Sequence, residues 1–405
     1  MIKILHTSDW HLGQRLYGYD RREEQEAFLR QMAEIVREEA PDAMVVCGDV
    51  YHYANPSVAA QRMYNEAMIA MHEACREMTI VVTAGNHDSA SKLAVNSMLW
   101  EPFGVRVIGG IAFGDDERVD FDRHVVEIKG KDGKAAGYIC AVSYVYAQNY
   151  PLLGEGADGG HRQHDFFQAL LDHIGRRNED GKPVVMMAHL AVAGADTTGH
   201  SEMIGGMDYT EISQLGSGYD YLALGHLHRA QSIGGGKARY SGSPIAVSFD
   251  ERYEHSVTIV EIEDGGAVDV RTIRIDNPMP LETIPEEPQP LEEALAALRA
   301  LPADRRGYIR LQVKTDGYLP AGSRERAMEA LSGKAAKFCL IKPVMERSGD
   351  AAFRGHELSV EEIRAKDPID IARQYYLEQR GSEMDEETTG MLKEAIERVK
   401  ARMRN

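Results

Sequence analysis

The sequence has only four cysteines in 405 residues, Cys47, Cys75, Cys140 and Cys339. Their wide spacing fits neither a zinc site nor a disulfide framework, and a reduced, cytoplasmic protein is the expectation. No stretch comes near the ~18 consecutive apolar residues of a membrane helix, so no membrane span is expected. The opening MIKILHTSDWHLG turns polar after Leu5 and reads as a strand, not a signal peptide. Positive charge is also short: 46 Lys and Arg stand against 64 Asp and Glu, a net charge of −18. That argues against a simple basic nucleic-acid-binding domain, whose affinity comes from neutralising phosphates. It does not exclude an enzyme acting on nucleic acid. Bound dications invert the local field, and a partner subunit can supply the basic surface.

What the chain does have is alternation of short apolar runs with helical patterns. Runs at 2–6, 43–47, 79–83, 138–142, 184–188, 221–224, 238–241 and 256–262 predict strands, and 21–39, 58–77, 89–99 and 164–176 predict helices. Strands separated by helices of crossover length imply a layered α/β architecture. A chain of this length predicts two or three domains. Asn277-Pro278-Met279-Pro280 and the Pro- and Glu-rich stretch 284–290 mark a boundary. Beyond it, 291–345 reads helix, strand (308–314), helix (324–332), strand (336–341), a small α/β module. The expected division is 1–278, 279–346 and 347–405. In the last part Ser359 and Glu362 make a capping box, and Leu392, Ile396, Val399 and Met403 line one face of a terminal helix. Such short helices do not stand alone, so they are expected to dock on the body or on a partner.

Five segments carry chemistry: Asp9-Trp10-His11, Gly48-Asp49, Gly85-Asn86-His87-Asp88, Ala188-His189 and Gly225-His226-Leu227-His228. Each follows directly on a predicted strand, and loops at strand ends form the functional edge of layered α/β folds. Borderline divalent metals take mixed imidazole and carboxylate ligands, whereas Mg²⁺ and Ca²⁺ prefer oxygen. Seven such ligands suit two ions sharing one carboxylate, an arrangement that serves in-line phosphoryl displacement. The glycines at 48, 85 and 225 are expected to permit tight turns. Asp-x-His alone is a weak signal and Gly-Asp nearly none. Gly-Asn-His-Asp after an apolar run is strong, and all five in this order are hard to reach by chance.

At these residues the chain resembles the calcineurin-like metallophosphoesterases. HTSDWHLG at the start, GDVYH at 48–52, GNHDS at 85–89, GHLHRAQ at 225–231 and SGSPIAVSFDE at 241–251 narrow the resemblance to the SbcD family, the nuclease subunits of SbcCD complexes. The resemblance implies a layered βαβ metallophosphoesterase sandwich with a small α/β capping domain at 279–346 and C-terminal helices at 347–405 that bind a coiled-coil ATPase, SbcC. It implies two divalent ions, expected to be Mn²⁺: one on Asp9, His11, Asp49 and His228, the other on Asp49, Asn86, His189 and His226, with Asp49 bridging. His87 would be the catalytic histidine, and an ordinary pKa near ~6.5 suits proton transfer around neutrality. Asp88 is expected to orient that ring, and His52, at a position variable in the family, to touch the phosphate. The implied activity is a Mn²⁺-dependent nuclease, exonuclease on duplex ends and endonuclease on hairpins or single strands, in DNA repair, recombination and replication. A small-substrate phosphoesterase and a non-catalytic scaffold for the ATPase are the alternatives. Protein phosphatases of this fold carry GDxVDRG, and the Arg is missing from Gly-Asp-Val-Tyr-His-Tyr-Ala-Asn here.

Other residues have plainer readings beside sharper ones. Met63, Tyr64, Ala67, Met68 and Met71 form an apolar stripe on the helix over 58–77, either core or, with the helix over 89–99, the face of a homodimer. Trp10 is expected to pack and fix its loop. Arg15, Arg21 and Arg22 open a solvated helix or contact phosphate. His161, His164 and His200 are expected to be solvated, and the Gly- and His-rich stretch 150–165 to be a loop near the substrate. Ser143 stands where the family commonly has proline, which leaves the local loop shape open.

Overall fold

The computed structural model describes residues 1–130, 132–153, 160–199 and 209–345, with positions 369, 384, 388–390, 392 and 393. Residues 1–345 form one compact unit and 346–405 a second. The capping box at Ser359 and nearly all of the expected C-terminal helices lie outside the described residues, as does His200.

The chain first lays down four parallel strands, β1 (Ile2–Thr7), β2 (Ala43–Cys47), β3 (Thr79–Thr83) and β4 (Val105–Ile108). It then builds a second sheet from β5 (Val125–Lys129), β6 (Ala135–Ala141), β7 (Val184–His189), β8 (Tyr221–Gly225), β9 (Gln231–Ile233) and β10 (Ala238–Tyr240). Finally β11 (Ser256–Ile262) returns to the first sheet antiparallel to β1, with β12 (Val268–Arg274) outside it. The orders are β12-β11-β1-β2-β3-β4 and β9-β10-β8-β7-β6-β5.

Strand alternation explains the layering. Side chains at i and i+2 share a face, so Ala43, Val45 and Cys47 of β2 meet Val185 and Met187 of β7 and Tyr221 and Ala223 of β8 in a dry layer between the sheets. The intervening Met44 and Val46 face the opposite way, onto helices α1 (Arg22–Glu39) and α2 (Val58–Ala74). Met186, Leu222 and Leu224 likewise face α3 (Arg162–Arg177). The result is a helix–sheet–sheet–helix sandwich. Strands buried on both faces read as unbroken apolar runs, as parallel strands do. The methionine stripe of α2 belongs to this core: Met63, Met68 and Met71 are buried, so it is core and not a dimer face. The helix expected over 89–99 is two short pieces, Ala90–Ala94 and Ser97–Trp100. They part at Asn96, a poor residue for a helix interior.

The small module is a three-stranded parallel sheet of β13 (Leu281–Gln289), β14 (Tyr308–Thr315) and β15 (Lys337–Met345), with α4 (Leu291–Ala300) and α5 (Ser323–Ala330) as crossovers. The Pro-rich stretch expected at the boundary is therefore an edge strand. Proline cannot donate to a ladder and is tolerated there, and the β13 register shifts between Ile284 and Gln289, across Pro285 and Pro288. A shared core of Leu16, Phe249, Met279, Tyr308 and Cys339 joins this module to the body.

Candidate metal centre

The parallel strands β1, β2 and β3 end on one edge, and so do β7 and β8 in the facing sheet. All five chemistry-bearing segments leave from those ends. The first two loops extend the ladder past the strands: Asp9 N donates to the Gly48 carbonyl at 3.0 Å, His11 N to Asp49 at 3.0 Å and Leu12 N to Val50 at 2.9 Å. This pairing holds a backbone that local energetics disfavour. Asp9, His11, Asp49 and His226 have φ of 55°, 46°, 51° and 101°, a region costly for residues other than glycine.

The side chains at these positions converge. Asp49, 2% exposed, sends its two oxygens opposite ways: Oδ1 lies 3.5 Å from His189 Nε2 and Oδ2 3.8 Å from His11 Nε2. On the first side, Asn86 Oδ1 is 2.9 Å from His189 Nε2 and 3.0 Å from His226 Nδ1. On the second, His11 Nε2 is 3.1 Å from His228 Nε2. Asp9 joins His11 and His228 in one metal-capable group and Asp49 and His189 in another, with ligand atoms within 4.8 Å of one another. Two buried imidazole nitrogens facing each other beside two carboxylates suit a cation between them. The donor set fits a pair of borderline divalent ions sharing Asp49.

Electrostatics agree. Burial works against protonated rings here, yet the charges of Asp49 and Asp9 lift His189 to about 9, and Glu251 and Asp9 lift His228 to about 9. Burial, with the neighbouring rings of His228, His87 and His52, pushes His11 well below its ordinary value despite Asp49. Asp49 is held well below the carboxylate range: burial opposes ionisation, but His189 and His11 outweigh it. Metal ligation requires neutral rings. Below pH 9 an ion ligated by both His189 and His228 would therefore displace protons from them. We expect Mn²⁺ affinity to climb steeply from pH 7 to 9 and flatten above. Calorimetry in buffers of different ionisation enthalpy should show up to two protons released per chain at pH 7. Affinity flat across that window would count against this donor set.

Residues 2–230 match the calcineurin-like phosphoesterase family, and 277–380 match a family described as the type 5 capsule protein repressor C-terminal domain. The chain is 34% identical to the SbcD nuclease of the SbcCD complex from Rhodobacter capsulatus over 367 residues, 86% of this chain and 90% of the relative. The chain belongs to the SbcD branch of the calcineurin-like phosphoesterases. The SbcD nucleases of Escherichia coli K12 and Bacillus subtilis are each 29% identical, covering 78% and 95% of this chain and 79% and 95% of their own lengths. As a member of this family the protein is a metal-dependent phosphodiesterase.

Within this SbcD-family site, one expectation needs correction. Asp88 does not orient the His87 ring. Its carboxylate accepts from the backbone of Gly85 (2.9 Å), Val50 (3.1 Å) and Tyr51 (2.9 Å), fastening the Asn86 loop to the Asp49 loop. Burial and the Asp49 charge push Asp88 up to about 7 against those three donors. The ring of His87 is held instead by Nδ1 at 2.9 Å from the His52 carbonyl, and its main-chain N–H donates to Asp49 Oδ1 at 2.8 Å. His52 lies among the site histidines. Its Nδ1 lies 3.2 Å from His11 Nδ1, and burial and the neighbouring His87 lower it to about 4.

Other residues settle into plain roles. Trp10 is buried and donates Nε1–H to Thr7 Oγ1 at 2.9 Å. Arg21 is buried as well, on Glu24 and Gln14, and is unavailable to phosphate, while Arg22 is exposed. His161 is exposed and His164 half-buried at the start of α3. Of the stretch 150–165, residues 154–159 lie outside the described residues. Ser143 ties two loops, donating to the Ile108 carbonyl at 2.5 Å and accepting from Ala84 N at 3.1 Å. One functional residue escaped the sequence reading. Glu251 Oε1 lies 2.9 Å from His228 Nδ1, the kind of carboxylate contact that commonly supports an imidazole at a metal site. It sits in the SPIAVSFDE run, but nothing in the sequence aims it at a histidine 23 positions earlier.

The glycines matter for approach more than for turning. Gly48 has the expected positive φ of 79°. At Gly85 a Cβ would fall 2.1 Å from Asp49 Oδ1, and at Gly225 1.8 Å from the Cys47 carbonyl and 2.8 Å from His189 Nδ1. That carbonyl is also the partner of His189 Nδ1, at 2.8 Å. Gly225→Ala must push the two sheets apart at the site. It should cost about 3 kcal/mol, the upper end for overpacking, read as a lowered urea midpoint together with weakened metal binding.

Proposed function

We propose that this chain is the nuclease subunit of an SbcCD-type assembly, cutting DNA phosphodiesters with two Mn²⁺ ions. The observation that carries the reading is the divided carboxylate of Asp49, one oxygen toward His189 and the other toward His11. In this reading Asp9, His11, Asp49 and His228 hold one ion, and Asp49, Asn86, His189 and His226 the other. When bound, the pair would supply Lewis acidity near neutral pH. The chain's residues orient the reaction. Glu251 and the Cys47 carbonyl set the tautomers of His228 and His189. His87, with Nδ1 committed to the His52 carbonyl, presents Nε2 beside the centre to hold or deliver a proton at the leaving oxygen.

The relatives named as nucleases of SbcCD support DNA as substrate and a coiled-coil ATPase as partner, with 279–346 as the cap and 347–405 as the ATPase-binding segment. A net charge of −18 agrees with DNA being held largely by that partner. Homodimerisation fits the exposed Val95, Met98 and Leu99 beside exposed Val58 and Ile69 on α2, rather than the buried methionines. No helix among the described residues is long and apolar enough to cross a membrane.

The test is cleavage of linear duplex and hairpin DNA, beside a nitrophenyl phosphodiester, with Mn²⁺, with Mg²⁺ and with chelator. Metal-dependent cutting of DNA, strengthened by the ATPase subunit, is the expected result. Turnover of the small diester alone, with DNA intact in the presence of the ATPase, would leave a small-substrate phosphoesterase in its place.

A further inference from the structure

We propose that Arg310, on the middle strand of the small sheet, is a positioning residue for the His228 imidazole. The inference rests on reading His228 as a metal ligand. It starts from Glu251, whose Oε1 lies against His228 Nδ1. Its other oxygen, Oε2, accepts from Val247 N at 3.0 Å, so the carboxylate that fixes the ring also closes its own loop, 247–251.

That loop lies in neither main sheet, and the small module grips it. Arg310 Nη1 donates to Asp250 Oδ1 at 2.7 Å, Nη2 to the Phe249 carbonyl at 3.1 Å and Nε to Thr283 Oγ1 on β13 at 3.0 Å. The guanidinium also lies over the Phe249 ring, 5.3 Å from its centroid. A planar fork held at all three nitrogens has one orientation, and it fixes the two residues immediately before Glu251. Arg310 is only 4% exposed, and burying such a charge is costly unless it is well paired. A surface pair would have joined the two parts more cheaply, as Arg306 and Glu23 do.

The grip is one-sided. His189 Nδ1 is held by the Cys47 carbonyl within the body, and Asn86 meets His189 and His226 there. Arg310 touches none of these. Loosening it should therefore weaken the ion position of His228 and spare the other.

The experiment is Mn²⁺ titration of the full chain by calorimetry. Arg310→Met should bind one ion as the parent does and the other about tenfold more weakly or worse, the usual loss when support behind a ligand is removed. Arg310→Lys should restore part of that affinity. Arg306→Met, which breaks a surface ion pair between the module and the body, should change neither position. Glu251→Gln should reproduce the defect, and adding Arg310→Met to it should cause no further loss, since one path is interrupted once. Asp250→Ala removes a more exposed partner, which also pairs with Lys342 at 3.6 Å, and gives the same reading if Arg310→Met does not fold. Unchanged binding in Arg310→Met or Asp250→Ala, equal weakening of both positions, or additive losses with Glu251→Gln would each overturn the proposal. His228→Ala separates it from the reading beneath it. If that variant keeps two ions, His228 is no ligand and the metal assignment fails; if it loses one while Arg310→Met loses none, only the role of Arg310 fails.

Discussion

His87→Asn should bring DNA cleavage down by about 10²–10⁴-fold, the range for removal of a general acid or base, while Mn²⁺ binding stays at the parent level. The structure separates the two properties. His87 gives the centre its main-chain N–H, at 2.8 Å from Asp49 Oδ1, and that donor survives any side-chain change. The imidazole lies beside the centre, 4.8 Å from the His11 ring between centroids, with Nδ1 on the His52 carbonyl at 2.9 Å. Asparagine can keep that contact through its amide and hold the local backbone. What it lacks is a second nitrogen that can carry a proton at neutral pH. Single-turnover cleavage and Mn²⁺ titration on the same preparation make the check. Near-parental cleavage with full metal content would remove His87 from the chemistry.

Asp49→Asn should have the opposite signature, losing metal and activity together. The aspartate places one oxygen on each side of the centre, whereas asparagine offers one oxygen and an amide that repels a cation. Cleavage should fall by at least about 10³-fold, the upper figure for loss of one preorganised electrostatic partner. Thermal melting gives an independent reading. A ligand that binds only the folded state stabilises it by about 2.7 kcal/mol at a hundredfold excess over Kd. The parent and His87→Asn should both melt higher with saturating Mn²⁺, and Asp49→Asn should not. A metal-induced rise retained in Asp49→Asn would contradict the bridging role.

How much was legible in the sequence follows from burial. The eight strands expected in the two main sheets are the interior ones, whose apolar runs are covered on both faces. The four that escaped, Val105–Ile108, Val125–Lys129, Gln231–Ile233 and Val268–Arg274, are the four sheet edges. Edge strands carry polar and charged residues on their open side, as in Val-Asp-Val-Arg-Thr-Ile-Arg at 268–274, and so lose the continuous apolar signal. Leu281–Gln289 escaped for the same reason, with two prolines added. All seven expected ligands are brought together, because position after a strand end is a local property. The supports behind them were not legible. Asp88 lies beside His87 in the chain and serves the Asp49 loop, while Glu251 reaches His228 from 23 positions away and Arg310 grips Asp250 from 60. Such pairings depend on how the sheets and the small module meet.

The left-handed backbone at Asp9, His11, Asp49 and His226 also bears on how this sequence would drift if cleavage ceased to be selected. Each position holds a conformation costing on the order of 1–3 kcal/mol for its residue that glycine would relieve and asparagine would ease. A gene copy released from nuclease duty would gain folding stability by accepting Gly or Asn at positions 9, 11, 49 and 226. In a lineage of such copies, substitutions there should come early and leave the sandwich intact, so that decay of the enzyme would register first as a protein harder to melt.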